Sequence, residues 1–140
     1  MADNKLELEI VAPDQRVLAA EVDEVVLPGT EGYLGVRPGH APLLTALQVG
    51  EISYRQDGRQ HLLAVSGGFA EIQRDRVTVL ATSSEPAERI DVERARTALE
   101  RAQGRLAAQP EELERRRADM ALKRATNRIH IHERHQSMMV

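Results

Sequence analysis

The stretch that decides the fold is Ser83–Arg101, SSEPAERIDVERARTALER, because the pattern of the chain changes within it from alternating strands to charged helix. Upstream lie Pro28, Pro38 and Pro42, eight of the nine glycines, and the three aromatic residues Tyr33, Tyr54 and Phe69. Downstream run Ala/Arg/Glu/Leu segments whose apolar residues recur about every 3.6 positions. Pro86 has no N–H to give to a sheet and breaks the last strand. Asp91 is placed to cap the helix that follows, its carboxylate accepting orphan backbone N–H groups of the first turn. The chain therefore reads as a strand-rich domain, residues 1–86, followed by a helical domain, residues 87–140.

Working outward, the strand-rich part alternates apolar and polar side chains in short runs. Leu6, Leu8 and Ile10 alternate with Glu7 and Glu9, as a strand with one wet face does. Arg16–Ala20 and Val22–Leu27 are further strands, the second closed by Pro28-Gly29. In GTEGYLGVRPGHAP, Gly29–Pro42, glycine and proline leave room only for a short strand at Tyr33–Val36 between tight loops. Ile52 and Tyr54 lead to the hairpin signal Asp57-Gly58, and His61–Val65 returns. Ser66-Gly67-Gly68 is expected to end that strand, before Phe69, Ile72, Val77 and Val79 complete an antiparallel pattern. Short strands at close spacing favour a small sandwich over a parallel sheet.

In the helical part, Val92, Ala95, Leu99, Ala102 and Leu106 form one apolar seam at steps of 3 and 4, and Ala118, Leu122, Ala125 and Ile129 form a second. Between them Gln109-Pro110-Glu111-Glu112 restarts a helix, with proline in the first turn and acids at the positive end of the dipole. Two seams and a short turn make an antiparallel hairpin. So much alanine gives close helices and little buried apolar area.

Arg94, Arg101 and Arg105 are spaced 7 and 4, and so are Arg117, Arg124 and Arg128. Each triplet is a stripe about a quarter turn from its seam, displaced in the same sense on both helices, so an antiparallel pair presents both stripes on one side. One reading is a solvated basic face. The other is an anion site, in which guanidinium forks converge beside a helix N-terminus.

Composition narrows the function classes. Residues 1–86 carry 7 Lys/Arg against 13 Asp/Glu, and residues 87–140 carry 12 against 9, so the net charge of −3 joins an acidic half to a basic one. There is no cysteine for a disulfide or thiolate chemistry. The opening MADNKLELE lacks the basic and apolar regions of a signal peptide, and no apolar run approaches the ~20 residues of a membrane helix, so membrane association is expected only through a partner. His130, His132 and His135 with Glu133 resemble metal ligands, but i, i+2 spacing separates the first two on a helix, and an exposed polar tail is the expectation. His40 has no evident acid or nucleophile beside it, Ser66 lacks G-x-S-x-G, and no phosphate loop is present. Any nucleotide bound here is regulatory, and no catalytic residue is expected. A basic nucleic-acid binder is the weakest class, since the helical half has no aromatic residue for base stacking.

The motifs GTEGYLGVRPGHAPLL (Gly29–Leu44), SGGFAEI (Ser66–Ile72) with RVTVLA (Arg76–Ala81), IDVERA (Ile90–Ala95) and ALKRATNRI (Ala121–Ile129) carry a resemblance over essentially the whole chain. The sequence resembles the epsilon subunit of bacterial and chloroplast F-type ATP synthases. The resemblance implies a ten-stranded antiparallel β-sandwich followed by a two-helix hairpin, in a non-catalytic subunit of the central stalk. It implies docking on the gamma subunit and on the rotor ring of c subunits, with Glu31, Gly32, Tyr33 and His40 near the ring; Tyr33 stands where many relatives carry an acid. It implies a location at the cytoplasmic face of the bacterial plasma membrane, or the stromal face of the thylakoid, held through the complex.

The resemblance also implies that the hairpin is an inhibitory switch, folded when permissive and extended along gamma into the catalytic head of alpha and beta subunits when it blocks ATP hydrolysis. Arg115, Arg116, Arg117, Lys123, Arg124 and Arg128 would then meet an acidic segment of the beta subunits. A motif of the form I/L-D-x-x-R-A, complete here as Ile90, Asp91, Arg94 and Ala95, implies ATP as a regulatory ligand, with Arg101, Arg124, Arg128 and the upstream Glu85 in support. No other cofactor is required. The alternative is a free-standing ATP-sensing module.

Overall fold

The computed structural model describes residues 4–139. These form two compact units, residues 4–86 and 87–139. The first holds eight strands: β1 (Leu6–Ala12), β2 (Gln15–Val22), β3 (Glu24–Gly29), β4 (Gly32–Val36), β5 (Leu43–Gln56), β6 (Arg59–Gln73), β7 (Arg76–Ala81) and β8 (Ser84–Pro86). The second holds a short 3₁₀ turn at Ala87–Arg89 and the helices α1 (Val92–Ala107) and α2 (Glu112–Met138). Among the described residues no helix is long and apolar enough to cross a membrane.

The strands form one mixed sheet in the order β2-β1-β7-β6-β5-β3-β4, with β8 beside β6. The strand at one edge, β2, also lies against β5 and β8, so the sheet curls over its own core. Two features differ from the expected ten antiparallel strands. First, β5 and β6 are single strands of 14 and 15 residues paired in one unbroken register from Leu43↔Ile72 to Gln56↔Arg59. The glycines that were expected to end a strand lie inside β6, at φ 101° for Gly67 and 123° for Gly68. Gly68 runs so close to β7 that a Cβ there would overlap the carbonyl oxygen of Leu80. Glycine here lets the ladder continue through a conformation other residues avoid. Second, β1 and β7 pair in parallel, from Glu7↔Arg76 to Val11↔Leu80.

One core receives side chains from the first seven strands: Leu6, Leu8 and Ile10 of β1, Val25 and Leu27 of β3, Ile52 of β5, Val65 and Ile72 of β6, and Val77 and Val79 of β7 are buried together. Each such side chain contributes about 1.5–3 kcal/mol by leaving water. Of the twelve largest fully buried side chains only Ile131 belongs to the helical unit. Its two helices are sealed mainly by Ala95, Ala102, Ala118 and Ala125, so most of the large buried apolar side chains lie in the sheet.

α1 ends at Ala107, and the turn follows through Gln109, which takes the left-handed conformation at φ 52°. α2 begins at Glu112 behind the N-cap residue Glu111, so Pro110 precedes the helix instead of standing in its first turn. On α2 the buried positions are Ala118, Ala125 and Ile131, while Leu122 and Ile129 of the expected seam are half-buried.

Candidate functional site

The segment Ile90–Ala95 opens α1, and its residues divide by task. Asp91 is the N-cap, its Oδ1 accepting the backbone N–H of Arg94 at 3.0 Å. Ile90 and Ala95 are buried and serve packing. Arg94 is exposed, and of the four it is the one whose side chain offers a cation to solvent. The motif is therefore a helix start joined to a single presented guanidinium.

From Arg94, at about 100° per residue, Arg101 and Arg105 fall within about 20° on α1, and on α2 Arg124 and Arg128 fall within about 20° of Arg117. Arg94 precedes the buried Ala95, and Arg124 the buried Ala125, by one residue each, which offsets both stripes from the seam in the same sense. α1 packs on α2 through these alanines. The charge environment separates the basic residues into two groups. Among the described residues no ion pair holds Arg94, Arg101, Arg105, Lys123 or Arg124. Arg128 is half-buried and engaged in an interaction of its own.

The run Arg115-Arg116-Arg117 is different. Arg115 bonds both oxygens of Glu112, at 2.8 and 2.7 Å, and lies 3.7 Å from Asp119. Arg116 reaches Glu112 at 3.1 Å and Arg117 reaches Glu114 at 3.2 Å. The hydrogen bond from Arg115, then that from Arg116, holds the Glu112 carboxyl below the ordinary glutamate range. Glu111–Asp119 carries four acids against three arginines. The cations that no acid holds are thus spread along α1 and the Lys123–Arg124 part of α2, and the arginine run is neutralised by its own helix.

The remaining expected positions lie in the sheet unit. Glu85 is half-buried on β8, opposite Ala64 of β6. Glu31 and Gly32 are exposed at the β3–β4 turn. Tyr33 is exposed but tethered: its hydroxyl accepts the Glu51 N–H at 3.2 Å and sits 2.9 Å from where a Cβ on Gly50 would be. His40 is half-buried in the β4–β5 loop, its Nδ1 2.6 Å from the carbonyl oxygen of Ala41. Among the described residues no three His, Cys, Asp or Glu side chains are grouped so as to hold a metal ion.

The sheet adds a feature absent from the sequence reading. Ala46, Phe69 and Leu80 stand opposite one another on β5, β6 and β7, with Leu44 one step along β5. Leu44, Phe69 and Leu80 are 69%, 55% and 58% exposed, a contiguous apolar row on the outer face. Large side chains grouped in this way mark a contact surface. The available signal was parity: Phe69 is three residues from the inward Ile72, an odd step that turns it outward.

Residues 5–87 match the family described as ATP synthase, Delta/Epsilon chain, beta-sandwich domain, and residues 88–133 match its long alpha-helix domain. An ATP synthase epsilon chain of Nitratidesulfovibrio vulgaris is 49% identical over 129 residues, 92% of this chain and 96% of the relative. The chain belongs to the ATP synthase epsilon family. A second epsilon chain, from Desulforamulus reducens, is 48% identical over 87% of this chain and 92% of its own length. Among solved structures, a chain of the Euglena gracilis mitochondrial ATP synthase, described as OSCP/F1/c-ring in rotational state 1, superposes with a TM-score of 0.78 at 26% identity, covering 88% of this chain and 78% of that one. As an epsilon-family member the protein is a non-catalytic subunit of the central stalk.

Proposed function

We propose that this epsilon-family chain couples ring rotation to the catalytic head by docking its sheet unit on the gamma subunit and the ring of c subunits, and that its hairpin regulates ATP hydrolysis. The apolar row Leu44–Phe69–Leu80 supports the docking reading over a free-standing sensor, because an unpartnered module gains nothing from exposing it. In the folded hairpin, Arg94, Arg101, Arg124 and Arg128 take the phosphates of ATP, with Asp91, Ile90 and Ala95 setting the start of α1. ATP bound only to that form opposes extension by its differential affinity. In the extended form Lys123, Arg124 and Arg128 meet acidic side chains of the head, while Arg115, Arg116 and Arg117 stay with their own acids.

The observation that carries the regulatory reading is the contrast between two sets of arginines among the described residues: Arg115, Arg116 and Arg117 neutralised in their own helix, and Arg94, Arg101, Arg105 and Arg124 held by no acid. Cations left in this state are available to a polyanion. An ATP titration of the chain, followed by amide NMR, tests it. Saturable shifts are expected at Ile90–Ala95 and Arg124–Arg128. In the double variant Arg94→Ala, Arg124→Ala, which orphans no acid, affinity is expected to fall about 100-fold or more, at ~1.5–3 kcal/mol for each charge-assisted bond. Absence of shifts at millimolar ATP would remove the nucleotide from the reading.

A further inference from the structure

The β6–β7 turn is a two-residue hairpin loop closed by Gln73↔Arg76, with Arg74 at φ 52° and Asp75 at φ 60°. Two successive positive φ values favour Asn-Gly or Asp-Gly. The chain uses Asp57-Gly58 for this purpose at the β5–β6 turn, where φ is 51° and 81°. At β6–β7 it keeps a side chain at both positions. A disfavoured backbone retained in this way points to work done by the side chain.

For Asp75 that work is visible. Its Oδ1 accepts the N–H of Gly39 at 2.7 Å, joining chain segments 36 residues apart, and its own carbonyl oxygen accepts the N–H of Glu7 at 2.9 Å. Gly39 is at the tip of the Arg37–His40 loop, at φ 88°, in a turn closed by the His40 N–H on the Arg37 carbonyl at 3.1 Å. One flank of the loop is held by Arg37 on Glu24 at 2.9 Å. Asp75 holds the tip, through a charge-assisted bond from the turn that joins β6 to β7.

We propose that Asp75 is the positioning residue of the Arg37–His40 loop, and that coupling depends on this brace. The inference rests on the reading that the loop lies against the rotor ring. A loop secured only at its ends moves on nanosecond to microsecond times. The Asp75 bond removes that freedom at the tip, so a displacement of the ring moves the sheet instead of being absorbed by the loop. Asp75 acts through Gly39 and needs no contact with the partner.

The test compares Asp75→Gly with Asp75→Asn. Glycine removes the brace while easing the backbone, so the fold is retained; asparagine keeps an acceptor. In the isolated chain, hydrogen exchange of the Gly39 amide is expected to quicken at least tenfold in Asp75→Gly and to stay near wild type in Asp75→Asn. In the assembled synthase, with epsilon content matched, Asp75→Gly is expected to lower proton pumping per ATP hydrolysed severalfold, and Asp75→Asn to restore it. Unchanged Gly39 exchange in Asp75→Gly would overturn the brace, and faster exchange with unchanged pumping per ATP would overturn its role in coupling. A third variant, Arg37→Ser with His40→Ser, tests the underlying reading separately. If it pumps normally, the loop does not serve the ring; if it uncouples while Asp75→Gly does not, only the Asp75 proposal fails.

Discussion

At Asp91 one carboxylate oxygen satisfies an N–H that the first turn of α1 would otherwise leave without a helical acceptor. This much is legible in the sequence, because a capping residue is recognised from its immediate neighbours. The cap also sets the direction of Arg94, so Asp91 belongs to the candidate site even without touching a ligand. Asp91→Ala is expected to destabilise the start of α1 by about 1 kcal/mol, and Asp91→Ser by only a few tenths, read from hydrogen exchange of the Arg94 amide. Equal protection in the two variants would deny the cap its role. Asp75, by contrast, gives no sequence signal: its acceptor role depends on a loop that only the folded sheet brings beside it.

Between elements, the limits of legibility have physical causes. Alternation in Leu6, Leu8 and Ile10 identifies β1 and its inward face, but period-2 patterning is blind to direction, so the parallel pairing with β7 is invisible to it. Gly67-Gly68 looks like an end because glycine commonly punctuates strands, whereas here positive φ keeps one long strand going. In α2 the acids Glu112 and Glu114 stand three and four residues before the arginines they neutralise, a spacing that was legible and outweighed by the run of three cations. This ladder gives a pH signature. The carboxyl of Glu112 titrates lower in the folded helix than in the unfolded chain, chiefly through Arg115. Its contribution is therefore present above the ordinary glutamate range and lost as pH falls through the lowered value. Amide protection at the start of α2 is expected to drop in that acidic window in wild type and to be low and flat across it in Glu112→Gln.

Across the chain as a single object, the two units are built for different lives. The sheet encloses a core of Leu, Ile and Val, yet leaves Leu44, Phe69 and Leu80 in water. Phe69→Asp is expected to leave the isolated chain's stability within about 0.5 kcal/mol, as an exposed position allows, and to cut its recovery in the purified synthase severely, since docking would bury an unpaired carboxylate. Normal recovery would show that the partner sits elsewhere. The helices meet instead through alanines at positions 95, 102, 118 and 125. An alanine side chain has no rotamers to freeze, and its methyl group exposes little new surface when its neighbour leaves. Parting α1 from α2 therefore changes heat capacity far less than melting the sheet, because that quantity follows the apolar area newly wetted. The free-energy difference between joined and separated helices is accordingly nearly linear in temperature, without the curvature that a large heat-capacity change gives to the unfolding of the sheet.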